Sequence, residues 1–275
     1  MNYKMKNHLL SVSFFLFTIT VLNGCALLGL GNSASWKEEV LQNDGSKIII
    51  ERSQSYGGRH EIGQSSPINE HVISFTLPGS VRVVTWKSEY SQDVGRANFK
   101  LLALHVLYDT PYVVTVPNLC LSYNKWGRPN PPYVFFKYDG SVWQRIPLEE
   151  FPAELKDINV TIETKGEEEV LVKQGLVPAE MVKKLNRILQ QPEYQTIRRE
   201  PVPVKKTYKS SIVSCPEMIS NGKDGWVGFN VSSMNSYEEC IKVCKFHKLE
   251  KQVCPCDNLR KTKPVYSGDS ISNPW

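Results

Sequence analysis

The chain has 275 residues, 41% hydrophobic and 10% aromatic, with 33 lysines and arginines against 28 aspartates and glutamates for a net charge of +5. This is the composition of a folded protein, and it excludes a disordered, collagenous or low-complexity chain. Basic residues are scattered rather than gathered on one element, which argues against a nucleic-acid partner.

Lys4 and Lys6 lead into the apolar run Leu9–Cys25, which ends at Leu22-Asn23-Gly24-Cys25. A positive segment, a short greasy core and small residues before a cysteine form the pattern of a cleaved secretory signal. The apolar core is too short for a comfortable membrane span. The tetrapeptide Leu22-Asn23-Gly24-Cys25 resembles the lipobox of bacterial lipoproteins, in which the cysteine receives lipid. That resemblance implies removal of residues 1–24 and attachment to a membrane through acyl chains on Cys25. Ala26, standing where an acidic residue would favour retention in the inner membrane, implies an outer-membrane location facing the periplasm. It implies place and anchoring but no activity.

Seven cysteines become six once Cys25 is set aside, an even number that suits up to three disulfides in an exported protein. Residues 25–35, small and without periodicity, read as a flexible tether that lets a folded part clear the headgroups. From Trp36 onward β-branched and aromatic residues alternate with turn residues. Asn43-Asp44-Gly45 is a hairpin signal, and the strands expected are 47–53, 71–77, 81–87, 99–107, 111–116, 133–138 and 142–146. Turns at Pro78-Gly79-Ser80, Asp109-Thr110 and Asp139-Gly140 join them in antiparallel pairs. The run 99–107 is apolar throughout and is read as a strand because of the strand and turn that follow it.

Pro178 opens the clearest helix, with Met181, Val182, Leu185, Ile188 and Leu189 on one face. Prolines among basic residues then mark 192–210 as an extended linker or wrapping arm. Ser236-x-x-Glu239 has the form of a capping box opening a helix that carries Cys240 and Cys244 on one face. Cys254-Pro255-Cys256 follows in a segment that proline keeps from being helical. We pair this quartet internally and leave Cys120 with Cys215. Cys240, Cys244, His247, Cys254 and Cys256 exceed the four ligands of a structural zinc site, but paired C-x-x-C knuckles are missing and export favours disulfides, so no metal is expected. Residues 215–256, through Ser236, Cys240, Cys244 and Cys254, also resemble apple-type modules, whose members bind proteins or carbohydrates.

The expected fold is therefore α+β, mainly antiparallel β, a sandwich or partly closed barrel over residues 36–160. A helix and Pro-rich basic linker follow over 161–210, and a small disulfide-stapled helical subdomain over 211–275. No nucleotide, haem, redox or metalloprotease motif is present, so no cofactor is expected. Two loops carry candidate binding residues. In Tyr56-Gly57-Gly58-Arg59-His60-Glu61, glycines permit close approach of a ligand, and Arg59 with His60 suits anion binding or proton transfer. In the loop 123–133, Trp126, Arg128 and Tyr133 suit stacking and hydrogen bonding to a glycan such as peptidoglycan; the plainer reading folds these aromatics over the sheet edge. The function expected is a non-catalytic binding or scaffolding module with an envelope protein or glycan as partner; a hydrolase or transferase built on His60 is the remaining alternative.

Overall fold

The computed structural model describes residues 33–58, 60, 62–88, 90–164, 166–203, 211–222, 225–257 and 259. The run ending at Cys25, and Arg59, lie outside these. The fold is mainly antiparallel β with four helices among the described residues, and its sheets do not close into a barrel.

The first sheet is built on β1 (Ser33–Leu41), β2 (Lys47–Tyr56), β3 (Ile68–Thr76) and β4 (Val83–Ser88), consecutive antiparallel neighbours, with β11 (Leu176–Val177) added in parallel to β1. β1 begins inside the segment read as tether, because Ala34 and Trp36 pack on the helices described below. Its turn works as the sequence indicates: Gly45 adopts φ +84° and Asp44 Oδ1 accepts from Ser46 N at 2.9 Å. A two-strand ribbon, β5 (Tyr90–Ser91) with β6 (Arg96–Ala97), leads to the second sheet.

That sheet runs β10 (Trp143–Ile146), β9 (Val134–Tyr138), β8 (Thr110–Pro117), β7 (Phe99–Leu107). The β7–β8 turn lies at Tyr108 and Asp109, both with positive φ, one residue earlier than expected. Alternating residues of the two sheets interdigitate: Val40, Ile50, Ile73 and Trp86 from the first meet Phe99, Leu101, Leu104 and Val113 from the second. The other face of the second sheet is also covered. Leu102, Val114, Val116 and Phe135 pack beneath Phe151, Leu155, Ile162 and Ile197 of the chain that returns over them. Burial on both faces is why β7 and β8 are apolar at nearly every position instead of alternating.

The rest of the chain wraps this sandwich. α1 (Leu119–Lys125) follows β8, while α2 (Glu168–Gln174) and α3 (Ala179–Asn186) pack Leu171 and Val182 against Trp36. The expected helix at Pro178 is α3, with Pro178 as its N-cap; it stops at Asn186, so Ile188 is exposed rather than on the buried face. Ile197 and Val202 are buried, so this part of 192–210 is a wrapping arm.

The C-terminal unit has the ribbon β12 (Glu217–Ser220) and β13 (Trp226–Phe229) against α4 (Tyr237–Phe246). Ser236 Oγ accepts from Glu239 N, completing the expected helix start. Cys240 bonds to Cys256 and Cys244 to Cys254, stapling α4 to the segment after it, while Cys120 bonds to Cys215 and ties α1 to the tail.

Candidate functional site

The inward face of the first sheet changes character along its length. One end is Val40, Ile48, Ile50, Phe75 and Val84, all buried and apolar. Continuing the same alternation, the other end places Glu38, Arg52, Gln54, His71 and Ser88 inward, all buried and polar. Polar groups at core positions require partners, and the segment 160–164 supplies them for Glu38, Arg52 and Gln54.

Arg52 Nη1 donates to Glu38 Oε1 at 2.9 Å and to the Thr161 carbonyl at 2.7 Å. Trp36 Nε1 donates to the same Glu38 oxygen at 2.6 Å, and Thr161 N donates to Oε2 at 3.1 Å. The guanidinium lies 5.0 Å from the centre of the Trp36 ring. This buried ion pair holds the crossing segment in place.

Next to it, Gln54 Nε2 donates to His71 Nδ1 (3.1 Å) and to Thr164 Oγ1 (2.9 Å), and Tyr56 OH donates to Gln54 Oε1 (3.3 Å). An Nδ1 that accepts leaves the neutral imidazole protonated at Nε2. His71 is held neutral: burial first, then the positive fields of Arg52 and Lys100, push its pKa down to about 3.

This polar end opens into a cleft of about 1410 Å3, with His71, Ile162 and Lys100 among the lining residues. Its charges are unequally matched. Lys100 Nζ is 2.7 Å from Glu163, and Lys173 Nζ is 2.6 Å from Glu169 on α2. Arg96 on β6, partly buried, has no ion pair or side-chain hydrogen bond with any described residue, and burial lowers its pKa. Among the described residues, lining positions supply three cations, Arg96, Lys100 and Lys173, against two carboxylates, Glu163 and Glu169.

The loop 57–67 forms one wall. Gly58, with φ +99°, lies against the β5–β6 ribbon, where a Cβ would stand 2.5 Å from the Gly95 carbonyl oxygen. The glycine expected to let a ligand approach instead lets the loop dock beside Arg96. His60 lines the cleft; it is exposed, and its ring Nδ1 lies 2.9 Å from the Gly58 carbonyl of its own loop. No hydroxyl, thiol or carboxylate of the described residues bonds to it, so among them it has no nucleophile to activate.

The loop 123–133 is elsewhere, and its side chains are engaged internally. Tyr133 is 3% exposed, with its hydroxyl donating to the carbonyls of Glu193 and Thr196, and burial pushes its pKa up. Arg128 donates to the carbonyls of Cys215 (2.6 Å) and Pro216 (3.1 Å) and lies over Tyr123. Trp126 packs 4.5 Å from Phe99, and the Arg145 guanidinium lies 5.4 Å from its ring centre. Burial takes Tyr133 out of the glycan-stacking surface expected of this loop, while Trp126 and Arg128, half-buried, make contacts at the sheet edge and the tail. In the C-terminal unit, all four sulfurs of Cys240, Cys244, Cys254 and Cys256 lie within 4.8 Å of one another as two adjoining disulfides.

Sequence reasoning missed His71, Gln54, Arg96 and Lys100 as a group. A signal was present: β2 keeps strict alternation through Ile48, Ile50, Arg52 and Gln54, so polar residues fall where the phase demands core. No protein-family model matches the chain, and no curated protein or solved structure matches it either. No helix among the described residues is long and apolar enough to cross a membrane.

Proposed function

We propose that this chain is an exported cell-envelope protein, anchored in the outer membrane through acyl chains on Cys25, and that it works by binding a ligand in the cleft. The observation that carries the binding reading is the polar end of the sandwich, where a buried neutral His71 and an Arg96 with no counter-ion among the described residues line a large open cleft. Such convergence of a few polar groups in a roomy concavity is the usual form of a ligand site. Binding is favoured over catalysis because, among the described residues, the partner of the His60 ring is the Gly58 carbonyl of its own loop rather than a nucleophile. Export is supported by the residues leading to Cys25 and by the remaining six cysteines, which all pair.

Each buried methylene of an acyl chain contributes about 0.8 kcal/mol, so two or more chains hold a protein stably where one does not. The test is fractionation of cells making the wild-type chain or Cys25→Ala. The wild-type protein stays with membranes through salt washing, and Cys25→Ala is released or accumulates unprocessed. A processed Cys25→Ala chain retained as firmly as the wild type would overturn the anchor.

A further inference from the structure

The same cleft carries a more specific reading, which rests on the proposal that Cys25 is the anchor. Its donors come from three strands. Arg96 comes from β6 with no counter-ion among the described residues, Lys100 from β7 with one carboxylate, and the Nε2–H of neutral His71 from β3. Among the described lining residues one positive charge is left over, which suits an anion with several acceptor oxygens. A bare inorganic ion fills little of about 1410 Å3, so the anion is the end of something larger.

The walls indicate what that larger body is. Leu119 and Val172 line the cleft with exposed side chains, and Ile62, in the loop that forms its wall, is fully exposed. Leu119 adopts φ +67°, a backbone conformation that side chains other than glycine rarely occupy, and it stands half-exposed over the opening. Apolar groups around a cationic floor match an amphipathic ligand with an anionic head. Position agrees. Ser33 and Ala34, the first described residues, line this cleft. Cys25 precedes Ser33 by eight residues, and eight residues reach at most about 29 Å even fully extended. An acylated Cys25 therefore keeps the cleft near the headgroup layer.

We propose that the cleft receives the phosphate-bearing headgroup of an anionic membrane lipid, with Arg96, Lys100 and His71 on the phosphate and Leu119, Val172 and Ile62 against the apolar portion.

The test uses the full chain, purified in a non-ionic detergent and titrated by native mass spectrometry. The probes are short-chain phosphatidylglycerol, short-chain phosphatidylcholine and inorganic phosphate. The expected result is one phosphatidylglycerol per chain, held more tightly than either other probe. Arg96→Ala should weaken it about tenfold, the loss expected for one charge-assisted contact. Lys47→Ala, which removes the same charge from an exposed pair with Glu39 on the first hairpin, should leave it unchanged. Arg96 has no partner among the described residues to lose, so the thermal midpoint should hold in its variant; a midpoint that falls together with binding would make Arg96 structural and overturn the assignment. Equal affinity in Arg96→Ala and Lys47→Ala would show general charge attraction and overturn it too. Inorganic phosphate bound as tightly as the lipid would make this a free-phosphate site. Failure of the anchor appears in the fractionation of Cys25→Ala, independently of this titration.

Discussion

His71 ties the candidate site to a stability measurement. Its ordinary pKa of 6.5 applies to the unfolded chain, while burial in the folded chain lowers it to about 3. Between those values the unfolded state binds a proton that the folded state refuses, so stability falls as pH drops below about 6.5 and keeps falling until about 3. At about pH 4.5 the gap in play is two units (6.5 minus 4.5), and at about 1.36 kcal/mol per unit this costs about 2.7 kcal/mol. Several exposed carboxylates, including Asp44 and Asp139, are held low by hydrogen bonds and add their own acid sensitivity. His71→Gln separates the contributions, because it keeps a polar group beside Gln54 and removes the titration. Urea unfolding followed by tryptophan fluorescence at about pH 7.5 and about pH 4.5 gives the pH-dependent loss for each chain. The wild type should lose about 2.5 kcal/mol more than the variant, whatever their absolute stabilities. Equal losses would refute a buried neutral histidine at the base of the cleft.

Arg52→Met leaves Glu38 buried without its cation and should cost about 3–5 kcal/mol; adding Glu38→Gln should recover part of it by removing the stranded charge, as read by urea midpoints. Gly58→Ala puts a Cβ against the Gly95 carbonyl and adds strain at positive φ, so hydrogen exchange should accelerate across 57–67 while the central strands stay protected. Cys120→Ser with Cys215→Ser opens a loop whose ends are 95 residues apart and should lower stability by about 2–5 kcal/mol, with no further loss when a reductant that spares the α4 pair is added.

What the sequence reveals depends on how many faces each element buries. β2 and β3 have one face on the core and one in solvent, and their alternation is legible in Ile48-x-Ile50 and His71-x-Ile73-x-Phe75. β7 lies between two packed layers, so Phe99–Leu107 loses its period and is separated from a helix only by the hairpin after it. α1 has seven residues, fewer than needed for a 3.6-residue period to show, and it follows β8 almost directly. The grouping of the cysteines is legible because two sulfurs on one helix face stand beside the segment that follows, while the partner of each within that quartet is not.

The site was harder for a physical reason. Its residues come from β2, β3, β6, β7 and the crossing segment at 160–164, and no local spacing relates them. Glycines and aromatics, conspicuous in a sequence, turned out to serve packing. Gly58 accommodates a carbonyl, and Trp126 and Tyr133 close the sheet edge. The useful clue was quieter, a polar residue in phase with the core, as Arg52, Gln54 and His71 are.

The N-terminal peptide of the protein isolated from cell envelopes tests the anchor most directly. Mass spectrometry of that peptide should give a chain that begins at Cys25 and carries the added mass of acyl chains. A chain that retains Met1, or begins elsewhere with an unmodified Cys25, would contradict the anchor and with it the placement of the cleft at the membrane surface.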